Sequence, residues 1–216
     1  MNSANRRQTL VVAALIFMIL AAAFWIVAYV SRPAFNQKLH VGIGQVLAQE
    51  TATLLNGKGR IVIVTLDPKK FPQLNTQVAA FAAALRKHGN VAIAETILIA
   101  VKEKRKAGPG AGLSDSDFVT ILEKHSKLDA IVSFIGAPDP EDAKIVALGK
   151  LNGPKIVAET KSRRKLKRLF KQQLLHTAIV PRFEFPAPGS KNPSAPREWF
   201  DLSFQVVRSN KPPPEE

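Results

Sequence analysis

The sequence predicts an α/β protein, in which an N-terminal transmembrane helix precedes a doubly wound three-layer domain. The domain is expected to hold a mostly parallel sheet of about five strands plus a C-terminal edge strand. A run of 21 residues without a charged side chain lies near the N-terminus. Beyond it, short β-branched segments alternate with segments of helical periodicity. Such alternation indicates βαβ units, whose right-handed crossovers place helices on both faces of a parallel sheet.

The uncharged run extends from Leu10 to Val30 and reads LVVAALIFMILAAAFWIVAYV. A helix of this length crosses a hydrocarbon core of roughly 30 Å. Trp25 and Tyr29 lie near one end, where membrane proteins carry an aromatic belt. The alternative is a cleaved signal peptide, but its apolar region is usually shorter and ends in a small-residue cleavage site. The flank from Ala28 to Pro33 (AYVSRP) is a poor cleavage site, so we predict an uncleaved anchor.

The orientation of the anchor depends on its flanking charges. Arg6 and Arg7 precede the run, whereas Arg32 and Lys38 follow it. The first flank usually dominates, and long domains cross a membrane largely regardless of their own charge. We therefore expect the N-terminus in the cytoplasm and the domain outside it, in the periplasm if the protein is bacterial.

This orientation gives an expected division of the chain into five parts. These are a cytoplasmic tail (1–9), the anchor (10–30), a membrane-proximal helix and connector (31–58), the α/β domain (59–207, with a Pro-rich linker at 186–197) and a disordered tail (208–216).

The elements of the domain follow from periodicity and from turn residues. The expected strands are Arg60–Leu66, Val91–Val101, Asp129–Ile135, Lys155–Ala158, Thr177–Phe185 and, as the edge strand, Glu198–Val207. The expected helices are 36–55, one through the stripe Leu74, Val78, Phe81 and Leu85, Ser114–Ser126, one opening at Asp139-Pro140-Glu141-Asp142, and Ser162–His176. This order of strands and helices resembles one lobe of the type 1 periplasmic-binding-protein architecture, and the resemblance concerns the fold.

Composition excludes several classes of function. The chain has 216 residues, of which 46% are hydrophobic and 22% charged, so it is neither disordered throughout nor fibrous. It contains no cysteine, which excludes disulfides, thiol nucleophiles and cysteine-based metal sites. The histidines lack metal-ligand spacing, and no phosphate-binding or nucleophile motif is present. The sequence therefore indicates no cofactor and no metal, and it favours a non-catalytic protein.

One candidate site lies beyond the carboxyl ends of the strands, where open parallel sheets bind ligands. The residues expected there are Asp67, Lys69, Lys70, Asp139 and Thr160. Asp67 and Asp139 together could hold a metal or carry acid–base chemistry. The alternative is structural, since Asp67-Pro68 suits a turn and Asp139 suits a helix N-cap.

A second candidate site is the basic segment Lys161–Lys171, KSRRKLKRLFK, in which seven of 11 residues are Lys or Arg. Its anion-docking residues are Arg163, Arg164, Lys167, Arg168 and Lys171, on the side opposite an apolar stripe. The segment suits an ordinary helix packed on the sheet with solvated charges. It also suits docking to an anionic membrane or an acidic protein partner. Binding to nucleic acid is the least supported, because no nucleic-acid motif accompanies the charge.

The chain carries 31 Lys and Arg against 17 Asp and Glu, a formal net charge of +14, so its partners are expected to be anionic. The first hypothesis is a single-pass membrane-anchored domain with a binding or assembly role outside the cytoplasm. The second is an anchored hydrolase or transferase that uses the crevice. The third is a cytoplasm-facing domain that binds anionic lipid or nucleic acid.

Overall fold

The structure, a computed structural model, describes residues 12–13, 15–25, 35–100, 113–137, 153–160, 165–182 and 193–210. The chain divides into two units, Met1–Asn36 and Gln37–Glu216. The described part of the first unit is helical at 12–13 and 15–25, and its large apolar side chains are exposed; Phe17 is 75% and Trp25 72% exposed.

Among the described residues, no helix is both long enough and apolar enough to cross a membrane. The anchor predicted at 10–30 also includes residues 10–11, 14 and 26–30, which lie outside the described residues. The anchor therefore stays a prediction from the sequence.

The second unit contains five described helices and six described strands. In chain order they are α1 (Gln37–Leu54), β1 (Lys58–Leu66), α2 (Pro72–Leu85), β2 (Asn90–Ile99), α3 (Asp115–Lys124), β3 (Ala130–Ser133), β4 (Lys155–Glu159), α4 (Leu166–Lys171), β5 (Thr177–Pro181), α5 (Pro196–Ser203) and β6 (Phe204–Arg208). The helix predicted to open at Asp139 lies outside the described residues.

The six strands form one sheet in the order β2-β1-β3-β4-β5-β6. Neighbouring strands from β2 to β5 are parallel, and β6 runs antiparallel to β5 at the edge. The prediction of a parallel sheet with a C-terminal edge strand is confirmed. From β1 the chain passes to β2 on one side and then returns to β3 on the other side of β1. The carboxyl ends of β1 and β3 therefore flank a topological switch point.

The core lies on both faces of the central strands. Residues 61–66 of β1 and all four residues of β3 are buried. Because successive side chains of a strand point to opposite faces, such unbroken burial means that both faces are covered. Val62 and Ile131 have no exposed surface, as expected of residues in central strands that are covered on both faces.

Helix α1 packs within the α/β unit, with residues on β4, β5 and both α2 and α5 as neighbours. Two glycines permit its close approach to the other helices. A Cβ at Gly44 would fall far inside van der Waals distance of the carbonyl oxygen of Gln77 in α2. A Cβ at Gly42 would clash equally with the carbonyl oxygen of Pro196 in α5.

We expect Gly44→Ala to destabilise the domain. In a helix interior, Gly→Ala normally stabilises by about 0.5–1 kcal/mol. Here the methyl group would push α1 from α2, and overpacking of this kind costs about 1–3 kcal/mol. Urea unfolding of the variant measures the sign. A control, Gln45→Ala, changes an exposed neighbour on the same helix and should leave the free energy of unfolding within about 0.5 kcal/mol. Stabilisation by Gly44→Ala would contradict the packing.

The C-terminal segment differs from the prediction. The strand expected at Glu198–Val207 is wrong for its first half, where α5 (Pro196–Ser203) forms instead. Pro196 occupies the first helical turn, and the Glu198 carboxylate accepts the N–H groups of Ser194 (2.7 Å) and Ala195 (3.1 Å). Phe200 is buried. The helix cap and the burial of Phe200 therefore outweigh the alternation of apolar and polar residues in this segment. That alternation corresponds to a strand only in β6.

Helix α4 is shorter than the predicted Ser162–His176. It ends at Lys171 because Gln173 adopts a left-handed φ of 58°, and the Leu174 N–H donates to the Leu169 carbonyl at 2.9 Å. Such a left-handed residue terminates a helix and satisfies its last carbonyl groups. Residues 161–164 lie outside the described residues.

His176 joins β4 to β5 at the amino edge of the sheet. Its Nδ1 accepts the Ile156 N–H at 3.1 Å, and its own backbone N–H donates to the Ile156 carbonyl at 2.8 Å. Burial, aided by the charge of Lys155, lowers the pKa of His176 from 6.5 to about 4. The imidazole is therefore neutral in the folded protein at neutral pH.

This depressed pKa predicts an acid-sensitive fold. Above pH 6.5 the histidine is neutral in both states, and its contribution to stability is complete. As pH falls from 6.5 toward 4 the unfolded state binds a proton that the folded state refuses, so stability declines until about pH 4. His176→Asn keeps an acceptor for the Ile156 N–H and should flatten this decline. A melting-temperature profile identical in parent and variant from pH 7 to 4 would contradict the assignment.

Candidate functional site

The crevice at the switch point begins with the turn that follows β1. Asp67 Oδ1 accepts the Lys69 N–H at 3.0 Å, and the Asp67 carbonyl accepts the N–H groups of Lys70 (3.1 Å) and Phe71 (3.2 Å). The carboxylate thus fixes the turn that leads into α2. Lys69 and Lys70 are exposed, and Asp67 is half-buried.

The ends of β3 and β4 complete the described part of the crevice. Ser133 Oγ donates to the Gly136 carbonyl at 2.6 Å and accepts the Ile135 N–H at 3.4 Å, which shapes the chain after β3. Thr160 follows β4, is buried, and donates its backbone N–H to the Ile179 carbonyl at 2.9 Å. Asp139, the proposed partner of Asp67, lies outside the described residues.

A polar cluster, composed of the buried Gln77 and Glu159 and the half-buried His40, lies beneath this edge. Gln77 has no exposed surface. Its Nε2 donates to Glu159 Oε2 at 3.1 Å and lies 3.0 Å from His40 Nδ1. Burial lowers the pKa of His40, which favours the neutral ring. In the tautomer protonated at Nε2, Nδ1 accepts the second amide hydrogen of Gln77. Helices α1 and α2 are thereby tied to the carboxyl end of β4.

Two buried oxygens near this edge have no hydrogen-bond partner among the described residues: Oε1 of Gln77 and Oγ1 of Thr65, near the end of β1. Leaving a buried polar atom unpaired costs about 1–3 kcal/mol, so such atoms are uncommon in a purely structural core.

His40 and Gln77 are not among the predicted site residues, although the sequence contains a signal for Gln77. Gln77 lies on the apolar stripe of α2, three residues after Leu74 and four before Phe81. A polar residue on a buried helical stripe requires a partner. Its partner, Glu159, is 82 positions away and can be identified only from the fold.

The crevice and the polar cluster provide hydrogen-bonding groups at the carboxyl edge of the sheet. Within the part of the chain that the structure describes, no group of three or more His, Cys, Asp or Glu residues could hold a metal ion. The contacts of Asp67 account for its role as a turn residue, and its pairing with Asp139 stays a hypothesis.

The basic segment shows the amphipathic pattern that the sequence predicts, as far as it is described. In α4, Leu166, Leu169 and Phe170 are buried. Lys167, Arg168 and Lys171 are exposed. Arg163 and Arg164 lie outside the described residues, so the full docking surface stays a hypothesis.

No family model matches the sequence, and no curated protein is similar to it. Solved structures with a similar fold include an ABC-transporter solute-binding protein from Burkholderia graminis in complex with D-arabinose; it is 15% identical over 79% of this chain and 60% of that chain, with a TM-score of 0.51. AraP, an arabinose-binding protein from Geobacillus stearothermophilus, is 13% identical over 79% of this chain and 61% of that one, with a TM-score of 0.50.

The XylFII–LytSN complex is also similar, with 13% identity, coverage of 80% of this chain and 60% of that one, and a TM-score of 0.50. The chain thus spans about three fifths of the length of these proteins. At such identities the similarity shows the fold, an α/β fold with periplasmic-binding-protein-like neighbours.

Proposed function

We propose that this chain is a single-pass membrane-anchored domain with a non-catalytic binding role, and that it takes a small polar ligand at the carboxyl edge of β1, β3 and β4. The observation that carries the proposal is the polar cluster beneath that edge, in which the side-chain oxygen Oε1 of Gln77 is buried and has no hydrogen-bond partner among the described residues. Burying this many polar groups has a free-energy cost that a scaffold of apolar residues would avoid.

In this proposal the cluster positions the residues that contact the ligand. Gln77 is wholly buried, so it acts by holding α2 against β4. The ligand contacts are assigned to the crevice residues Asp67, Lys69, Lys70, Asp139 and Thr160. One structural neighbour is in complex with D-arabinose and another is an arabinose-binding protein, which makes pentoses the first ligands to test.

Calorimetric titration of the full chain in detergent with D-arabinose, L-arabinose, D-xylose, D-ribose, D-glucose and D-galactose tests the ligand. We expect a saturable heat with at least one of them. Thr160→Val should weaken binding about tenfold, equivalent to about 1.4 kcal/mol, because it removes a hydroxyl at the crevice. Thr53→Val, at an exposed position on α1, is the control. No saturable heat with any sugar, or equal loss in both variants, would refute the proposed ligand class.

The anchor and the location are the second part of the proposal. The uncharged run 10–30 and the exposed apolar side chains of 15–25 support the anchor. Arg6 and Arg7 before the run favour an extracytoplasmic domain. A reporter that is active only outside the cytoplasm, fused after Val207, should be active, and the protein should resist extraction from membranes by alkaline carbonate. Activity of a cytoplasm-only reporter at that position would refute the orientation and favour the cytoplasm-facing alternative.

A further inference from the structure

The amino edge of the sheet brings together the starts of four parallel strands. The Asn90 N–H donates to the Gly57 carbonyl at 2.7 Å, which joins the start of β2 to that of β1. The Asp129 N–H donates to the Arg60 carbonyl, and the Lys155 N–H donates to the Asp129 carbonyl, each at 2.9 Å. Neighbouring strands lie about 4.8 Å apart, so the four starts extend over about 15 Å. Their exposed cations, here called the basic row, are Lys58, Arg60, Arg86, Lys87, Lys127 and Lys155.

The charge of the basic row is not neutralised within the described part of the chain. None of its six members forms an ion pair with a described residue, whereas Lys124, at the same edge, pairs with Glu95 at 3.3 Å. One acid, Asp129, lies within the row, and its Oδ2 accepts the backbone N–H of Arg60 at 2.7 Å. The row therefore presents a net positive charge to solvent.

Helix ends explain only part of this charge. Helices α1, α2 and α3 end at the amino edge, and a helix C-terminus favours nearby cations. Arg60 and Lys155, however, belong to strands β1 and β4. The charge of Lys155 is also the second cause, after burial, of the low pKa of His176. The positive charge thus affects the interior of this edge as well as its surface.

A groove between α1 and α2 opens beside the basic row. Its volume is about 690 Å³, and Lys87 and His88 form part of its lining. Helix α1 contributes the exposed amides of Gln45 and Gln49, and α2 contributes alanines such as Ala83. No Asp or Glu is among the described residues that line it. The groove is therefore a concave surface with amide groups and no negative charge, next to a row of cations.

These surfaces favour a polypeptide over other anionic partners. A second copy would place one basic row against another, and like charges disfavour that contact. A flat layer of lipid headgroups could meet the row but could not enter the groove. Single-stranded nucleic acid normally stacks its bases on aromatic side chains. Phe, Tyr and Trp are absent from the segments that form the edge: 56–60, 86–90, 126–129 and 153–155.

We propose that the basic row and the adjoining groove form a docking site for an acidic segment of a protein partner. Carboxylates of the segment lie along the row, and its chain continues into the groove, where Gln45 and Gln49 offer amide N–H groups to its backbone carbonyls. The site lies at the edge opposite the crevice, so the proposal does not depend on the ligand proposed there.

The test uses the full chain in nanodiscs of phosphatidylcholine and a fluorescent synthetic peptide that alternates glutamate with serine. Fluorescence anisotropy should show saturable binding that weakens with added salt, because salt screens exposed charges. The same peptide with glutamine in place of glutamate should not bind. In hydrogen exchange, the bound acidic peptide should slow exchange in residues 56–60 and 86–90.

Two charge variants of matched composition locate the binding. The first removes three cations of the row: Lys58→Gln, Arg86→Gln and Lys87→Gln. The second removes two Lys and one Arg from α4: Lys167→Gln, Arg168→Gln and Lys171→Gln. The first variant should weaken binding about tenfold, and the second should leave it close to that of the parent. Circular dichroism during thermal unfolding checks that both variants fold.

Ala83→Trp tests the groove, because it fills the space without changing the charge. It should weaken binding of the acidic peptide severalfold. The proposal is overturned if the two charge variants lose affinity equally, if the glutamine peptide binds as well as the acidic one, or if Ala83→Trp binds like the parent. Binding of double-stranded DNA or of phosphatidylserine vesicles that the first charge variant loses, together with no saturable binding of the peptide, would also overturn it, in favour of another class of partner.

Discussion

Ile131→Asp is expected to abolish cooperative folding of the α/β unit. Ile131 has no exposed surface and lies in register between Val62 of β1 and Ile156 of β4. An aspartate there would be buried without a partner, and an uncompensated buried charge costs several kcal/mol. Domains of this size are stable by only about 5–15 kcal/mol, so the loss consumes much or all of that margin.

Circular dichroism during thermal and urea unfolding measures the effect. Ile131→Val is the matched control, since it keeps the branched shape and removes one methylene at a cost of about 0.5–1.5 kcal/mol. An aspartate variant that unfolds at the same temperature as the parent would show that β3 is not the centre of the sheet.

Arg208→Ala is expected to have the second-largest effect. The Arg208 guanidinium donates twice to the Glu50 carboxylate, from Nε to Oε2 and from Nη2 to Oε1, each at 2.7 Å. This pair ties β6 to α1, and the hydrogen bond to Glu50 raises the pKa of Arg208. The Glu50 side chain is only 8% exposed, whereas that of Arg208 is 46% exposed. Removing the arginine leaves a buried carboxylate unpaired, at a cost of about 1–3 kcal/mol.

The control for Arg208→Ala is Lys124→Ala, which breaks the exposed ion pair with Glu95 and removes the same charge. Exposed pairs contribute about 0–1 kcal/mol, so this variant should resemble the parent in urea unfolding. Equal free-energy losses in the two variants would contradict the special role of the pair with Glu50. Glu50→Gln combined with Arg208→Gln should recover part of the loss, because no buried charge remains.

The central strands were predictable because burial on both faces requires a continuous run of apolar residues in the sequence. The run IVIVTL in β1 and the run AIVS in β3 are continuous and β-branched, and glycine or polar residues bound them. Parallel pairing follows from the helices between them. Residues such as Val62 and Ile131 can therefore be assigned to the core from sequence alone.

The C-terminal helix was not predictable from alternation. The segment EWFDLSFQVV suits a strand, but the start of α5 depends on Pro196 and on the cap supplied by Glu198. The packing of α5 against α1 depends on Gly42, which lies 154 positions before Pro196. Tertiary contacts of this kind override a local pattern.

The location of the candidate site could be predicted from the sequence, but not all of the residues that form it. The carboxyl edge follows from the strand order, which locates Asp67 and Thr160. The polar cluster could not be predicted without the fold, because His40, Gln77 and Glu159 belong to three elements that are distant in sequence. The one sign of the cluster in the sequence is a polar residue, Gln77, on the apolar stripe of α2.

Hydrogen exchange of the full chain in detergent, with and without a saturating sugar of the set above, tests the central claim most directly. We predict slower exchange at the carboxyl edge, in residues 65–71, 133–137 and 158–160, and unchanged exchange at the amino edge, in residues 86–91. Protection of the amino edge alone, or no protection at the carboxyl edge with any sugar, would contradict the claim that this edge of the sheet is a ligand site.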